Sequence, residues 1–486
     1  MNNLRQSLIG GRWMDATGGG WYEIHNPADG RQLVARVPAM DDRDVVRALE
    51  AAAEGGRRWR ATSIVERGEV LRRAAGLLRE RREEIARDVT LEMGKLIGEA
   101  RQETAKAADF LEYYAGFGRR PIGEILPDAR MGAEARTIRE PRGVVVAITP
   151  WNDPVITPAR KVCPALISGN GVVLKPAPES PLSALHLARA LHDAGLPAGV
   201  LNIVTGPGDD VARKLVESDG FQALSFTGST EVGLGLQKKL AGRGITVQTE
   251  MGGKNAAVVM ADADPKLVID ALIAGAYVQA GQRCTATSRV MVEAAKYEEV
   301  LEGFAGRARE IRVGPGLSDE AQMGPLVAES RLESVLASLE SARSSGADVV
   351  AGGGRLHDGG LDHGWFMAPT VVGETEPRSE IWRDELFAPV VGFTPIDSLD
   401  RAIELVNGSR YGLSAAIFTR DLEVAHRFAD AAEVGCVAVN LPTAGWDVHL
   451  PFGGFKDSGS GFKEQGENVL EFYSRVKTIA MRTRAI

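Results

Sequence analysis

Apolar residues recur at helical spacing from Ser63 to Phe117, through "VLRRAAGLLRERREEIARDVTLEMGKLIGEARQE", and the whole stretch is predicted to be helical. Its Arg/Glu run reads as a solvated helix face. Periodicity then lapses from Gly118 to Arg142, which reads as a connector or an arm. Beyond it, short apolar runs alternate with helical stretches. "GVVVAIT", "GVVLKP", "GVLNIVTG", "QALSFTG" and "GITVQTEMGG" read as buried strands, with "SALHLARALHDAG", "DDVARKLVES" and "TEVGLGLQKKLAG" as the helices between them. That alternation predicts a parallel sheet wrapped by helices, which binds ligands at the carboxyl ends of its strands. A second α/β series starts near Asn255, with the strands "NAAVVM", "SRVMVE", "GLSAAIFT" and "VGCVAVN" and the helix "PKLVIDALIAGAYVQAG". The tail "NVLEFYSRVKTIAMRTR" ends in a strand-like alternation suited to pairing with a neighbour.

A chain of 486 residues suggests about three domains. The net charge of −8 argues against a nucleic-acid partner, since a phosphate-binding face wants a basic excess. No stretch approaches the length of an apolar membrane span, and the start lacks the apolar core of a signal peptide, so a cytoplasmic location without a membrane partner is expected. Three cysteines, Cys163, Cys284 and Cys436, form neither a disulfide framework nor a zinc pattern, and no metal is expected.

The first α/β unit lacks G-x-G-x-x-G. Instead "TGSTEVG" follows a strand, with Gly228 and Gly233 flanking a helix start at Ser229. Free N–H groups and the helix dipole there suit a pyrophosphate, although glycines at such a turn are often only turn chemistry. It is not a P-loop, because Leu234 and Gly235 follow Gly233. Lys175, ending "GVVLK", could meet a ribose or phosphate, or simply lie on the surface. Cys284 in "GQRCTATSR" is either a small buried hydrophobe or a reactive thiol. A cysteine-hydrolase pairing finds no recognisable partner among the seven histidines.

Taken together, "ITPWNDP", "ALISGNGVVLKPA", "FTGSTEVG", "EMGGKNAAVV", "GQRCTATSR", "DELFAPV" and "PFGGFKDSGSG" resemble the aldehyde dehydrogenase superfamily, in its order and spacing over nearly the whole chain. The resemblance implies an α/β fold with a Rossmann-type cofactor domain at residues 1–118 and 142–252. It also implies a catalytic domain at 253–450 and a β oligomerisation arm at 119–141 and 467–486, serving a homodimer or homotetramer. It implies Cys284 as nucleophile, Asn152 with the Cys284 N–H as oxyanion donors, Glu250 as the base that hydrolyses a thioester, and Lys161 near the nicotinamide. Thr149, Pro150, Trp151, Lys175, Gly208, Phe226, Gly228, Ser229, Glu385 and Phe387 would hold NAD or NADP. Relatives that pass the acyl group to coenzyme A generally lack the base at Glu250, which favours a free acid as product. A non-catalytic member of the fold would lack Cys284, Glu250 or Asn152, and all three are present.

Two positions depart from the family. Pro178 stands where NAD-preferring relatives carry glutamate, with Glu179 beside it, so use of both cofactors is expected. Asp153 replaces the phenylalanine of "WNFP". It either makes the aldehyde mouth polar or caps the helix beginning near Pro154. Within the superfamily, "VNLPTAGWDVHLPFGGFKDSGSGFKEQG" looks most like the α-ketoglutaric semialdehyde (2,5-dioxopentanoate) dehydrogenases. Arg160 and Arg283 are then candidates to grip an acidic tail, or else structural ion-pair partners. Succinic semialdehyde is an alternative acidic substrate, while Asp153 pulls the other way, towards an aminoaldehyde or an aromatic aldehyde.

Overall fold

The computed structural model describes residues 5–482; the last four residues of the tail and the first four of the chain lie outside that range. The long helical stretch is three helices rather than one, Ile64–Glu80, Arg82–Met93 and Ile97–Ala115. The second ends because Gly94 turns to φ 91, and a side chain at Gly94 would meet Pro325 and Pro27. That break delivers Lys95 to the protein interior.

The first α/β series forms a five-stranded sheet, all parallel, in the spatial order Thr246–Glu250, Ala223–Thr227, Val144–Ile148, Gly171–Lys175, Leu201–Ile203. All five residues of three of these strands are buried, which is why they read as mostly apolar runs. The chain reverses its direction of strand addition between Val144–Ile148 and Ala223–Thr227. A crevice opens outside the carboxyl ends of those two strands, the usual ligand position in such sheets.

Four residues after the edge strand ends at Glu250, Asn255–Val259 begins the second sheet. Seven strands lie in the order Asp348–Ala351, Thr370–Gly373, Val390–Ile396, Thr287–Glu293, Asn255–Val259, Ser414–Phe418, Cys436–Val439, parallel except at the first pair. The carboxyl ends of the first sheet therefore face the amino ends of the second.

The segment after Gly118 carries the strand Ala133–Pro141, and the tail strand Ser474–Arg482 pairs with it antiparallel along its full length. Among the described residues no helix is long and apolar enough to cross a membrane, and no cluster of metal-ligating side chains occurs.

Candidate active site

Cys284 sits in a turn closed by Ala286 N–H donating to the Arg283 carbonyl (3.0 Å), just ahead of the strand Thr287–Glu293. Three successive residues leading to it are left-handed: Gln279 (φ 55), Ala280 (φ 54) and Gly281 (φ 68). Two of them carry a Cβ, and each such residue costs on the order of 1–3 kcal/mol unless its surroundings enforce it. The enforcement is visible. Gln279 N–H donates to Glu99 Oε1 (2.9 Å), and Gln282 Nε2 donates to the carbonyls of Gln279 and Pro325 (3.1 and 3.2 Å). A side chain at Gly281 would collide with the Ala388 carbonyl. Asn255 Nδ2 then pins the Cys284 carbonyl (2.7 Å) to the first residue of the neighbouring strand.

Two clefts meet at this cysteine. The first, of about 530 Å³, opens at the switch point of the first sheet, and Pro150, Trp151, Asn152, Gly228, Ser229, Glu250, Glu385 and Phe387 line it. The second, of about 290 Å³, approaches from the other side between Phe110, Asp153, Arg160, Arg283, Trp446 and Phe452. Cys284 lines both. Burial pushes its thiol well above the ordinary range, with Glu250 and Asp153 adding to the rise.

Glu250 ends its strand with a carboxylate that is 1% exposed, and neither oxygen has a hydrogen-bond partner. Burial first, then the negative charge of Glu464, hold its pKa well above the carboxylate norm. Such a carboxylate is poised to take up a proton rather than to sit in an ion pair.

The first cleft has the features a dinucleotide needs. The helix Thr230–Leu240 begins at Ser229, whose side chain makes no cap bond, so the helix's first turn offers free N–H groups at the cleft wall. Gly228 and Gly233 leave room that a Cβ would fill, because the Phe226 ring and Met251 lie directly beneath. Trp151 and Phe387 meet edge to face (5.4 Å between centroids) as an aromatic wall. Glu385 Oε1 accepts from Gly253 N–H (2.9 Å), and burial raises its pKa to about 7.

Lys161, Lys175, Thr149, Phe226 and Gly208 stand away from the lining of the first cleft. Lys161 is fully buried, donating to Ser225 Oγ (2.9 Å) and to Glu464. Lys175 is not a surface residue but 4% exposed, at the carboxyl end of its strand, and its carbonyl accepts from Thr149 N–H (3.1 Å). Phe226 packs under Gly228, and Gly208 lies on an exposed turn at φ 61.

Asp153 does not cap the next helix. That helix starts at Ile156 behind Val155, and Glu103 Oε1 accepts from the Val155 and Ile156 N–H groups (2.7 and 3.1 Å). Asp153 Oδ1 instead accepts from Lys95 Nζ (3.2 Å) and Gln279 Nε2 (2.9 Å). Burial would raise its pKa, but Lys95, Arg283 and Gln279 outweigh this and hold it at about 2. Arg160 is taken up by Glu464 (3.0 Å) and by the faces of Phe110 and Phe452. Arg283 has no carboxylate within 4.0 Å among the described residues, and its Nε is buried without a partner.

Glu464 is the residue that sequence reasoning passed over. It is fully buried and joins Lys161, Arg160 and Thr227. Burial pushes its pKa up, yet the two cations more than reverse that. It lay inside a quoted motif, in "FKEQG", but no spacing ties it to partners some 300 residues away.

The aldehyde dehydrogenase family model matches residues 13–479. The chain is 38% identical over 480 residues to an α-ketoglutaric semialdehyde dehydrogenase of Bacillus subtilis, covering 99% of this chain and 98% of that one. It is 39% identical over 488 residues to a phenylacetaldehyde dehydrogenase of Pseudomonas fluorescens, covering 98% and 95%. The crystal structure of betaine aldehyde dehydrogenase from Staphylococcus aureus in complex with NAD+ superposes with a TM-score of 0.96 at 30% identity, over 99% of this chain and 96% of that one. With a thiol where two clefts meet, an unpartnered carboxylate beside it and this similarity along its length, the chain belongs to the aldehyde dehydrogenase family.

Proposed function

We propose that this enzyme oxidises 2,5-dioxopentanoate to 2-oxoglutarate, with NAD or NADP in the first cleft and the aldehyde entering by the second. Cys284, its S–H proton released to solvent, adds Sγ to the aldehyde carbon. The developing oxyanion is held by the Asn152 amide and the Cys284 N–H. The nicotinamide, when bound, supplies the acceptor for the hydride. Glu250 takes a proton from water as that water attacks the Cys284 thioester, releasing the acid and restoring the thiol. The observation that carries the mechanism is the meeting of both clefts at Cys284, with the unpartnered Glu250 carboxylate in one of them. Removing the oxyanion donor in Asn152→Ala is expected to lower kcat by roughly 100- to 1,000-fold with little change in KM, as measured by steady-state kinetics.

Two relatives of equal similarity carry different substrates in their names, so the pocket must decide. Its free cation favours an acidic tail. Lys106 is bridged to Asp447 and Arg160 to Glu464, which leaves Arg283 without an ion-pair partner among the described residues. Asp153 opposes an acid there less than a bare carboxylate would, because Lys95, which it shares with Glu103, offsets part of its charge. The test is reduced-nicotinamide formation with 2,5-dioxopentanoate, succinic semialdehyde, an ω-aminoaldehyde and benzaldehyde. Arg283→Ala is expected to cost the two acidic aldehydes roughly 10- to 100-fold in kcat/KM and to spare benzaldehyde. A wild-type preference for the cationic or aromatic substrate would overturn the substrate assignment.

Residues 1–118 and 142–252 are read as the cofactor domain, 253–450 as the catalytic domain, and 119–141 with 467–486 as the arm of a homodimer or homotetramer. Ile125 and Val476, 84% and 58% exposed on the arm strands, and Leu441, 62% exposed beyond the last strand of the second sheet, support burial against another copy. The cytoplasm is the proposed location.

A further inference from the structure

We infer that Asp153 is a positioning residue, acting through Gln279 to hold the loop that carries Cys284, and that it is not a contact for the aldehyde. This rests on Cys284 being the nucleophile. The Asp153 side chain lines both clefts yet is only 16% exposed, and its Oδ1 receives two donors. One is Lys95, fully buried, which also bonds Glu103. The other is the amide of Gln279, the first of the three left-handed residues before the nucleophile.

Glu99 takes the Gln279 backbone N–H, so the same residue is gripped by main chain and side chain at once. With φ and the side chain both fixed, Gln279 loses the freedom to relax into right-handed backbone, which would swing Arg283 and Cys284 away. Lys95 offsets part of the cost of burying the two carboxylates it bonds, Asp153 and Glu103. Glu103 in turn holds the start of the helix that bears Arg160. One lysine thus ties the nucleophile loop to the wall of the aldehyde pocket.

Asparagine at position 153 keeps an oxygen for the Gln279 amide and loses only the charge. Alanine loses both. The experiment is steady-state kinetics of Asp153→Ala, Asp153→Asn, Gln279→Ala and the double alanine variant. Succinic semialdehyde and benzaldehyde serve as paired substrates, with folded fraction checked by circular dichroism. Asp153→Ala is expected to lower kcat about 10-fold or more for both aldehydes alike, with KM little changed. Asp153→Asn is expected to recover most of that loss, and the double variant to be no worse than either single one. A change in the ratio of the two aldehydes' kcat/KM beyond about 10-fold would make Asp153 a substrate contact and overturn the inference. So would single effects that multiply, or an Asp153→Asn variant as impaired as the alanine one. Failure of the nucleophile assignment shows separately, as turnover retained in Cys284→Ala.

Discussion

Cys284→Ala is expected to abolish aldehyde oxidation, lowering kcat by roughly 10⁵-fold or more, while cofactor affinity stays within a few-fold of wild type. The asymmetry follows from position. The thiol lines both clefts, but the cofactor's candidate contacts lie elsewhere, on the first turn of Thr230–Leu240, the Trp151–Phe387 wall and Glu385. Alanine removes the atom proposed to bond the aldehyde carbon and leaves those contacts in place. Turnover by reduced-nicotinamide absorbance and cofactor binding by fluorescence quenching measure the two effects. Loss of binding together with turnover would point to a collapsed loop rather than a missing nucleophile. Measurable turnover above about one part in a thousand would reassign the nucleophile.

Glu250→Gln is expected to separate the two halves of the reaction. General-base loss should lower steady-state kcat by about 100- to 10,000-fold. The first turnover should still proceed, giving a burst of reduced nicotinamide close to one per active site and a thioester detectable by mass spectrometry. A second readout follows from charge. Ionised Glu250 opposes ionisation of Cys284, and burial already raises both groups. In wild type, thiolate formation is therefore displaced to high pH and alkylation by iodoacetamide should climb as pH rises. Glutamine carries no negative charge, so the alkylation profile should move to lower pH. An unmoved profile, or a chain with no burst, would remove Glu250 from this role.

The fold was largely legible because buried parallel strands announce themselves. The strands in "GVVVAIT" and "QALSFTG" are buried along their whole length and so are mostly apolar. The helical stretch from Ser63 was legible as helix but not as three helices. Gly94 ends the second one because of packing against Pro325, more than 200 positions away. In the site, Cys284, Glu250 and Asn152 were carried by motifs whose residues are near one another in the chain. Their buried supports were not. Glu464 reaches Lys161 across a separation of 303 residues, and nothing in either local pattern foretells the pairing. Asp153 shows the same limit from the other side. Its place before a helix suggested a cap, and only three dimensions reveal that Glu103 already fills that post and that Lys95 waits for the aspartate.

The left-handed loop before Cys284 bears on how the protein comes into being. Its restraints come from Glu99, Asp153 and Pro325, at sequence separations of 180, 126 and 43 residues. Contacts that distant close late, after local helices and neighbouring strands have formed. Until they do, Cys284 lacks the loop geometry that sets it where the two clefts meet, so the assembled site is expected only once those long-range contacts have closed.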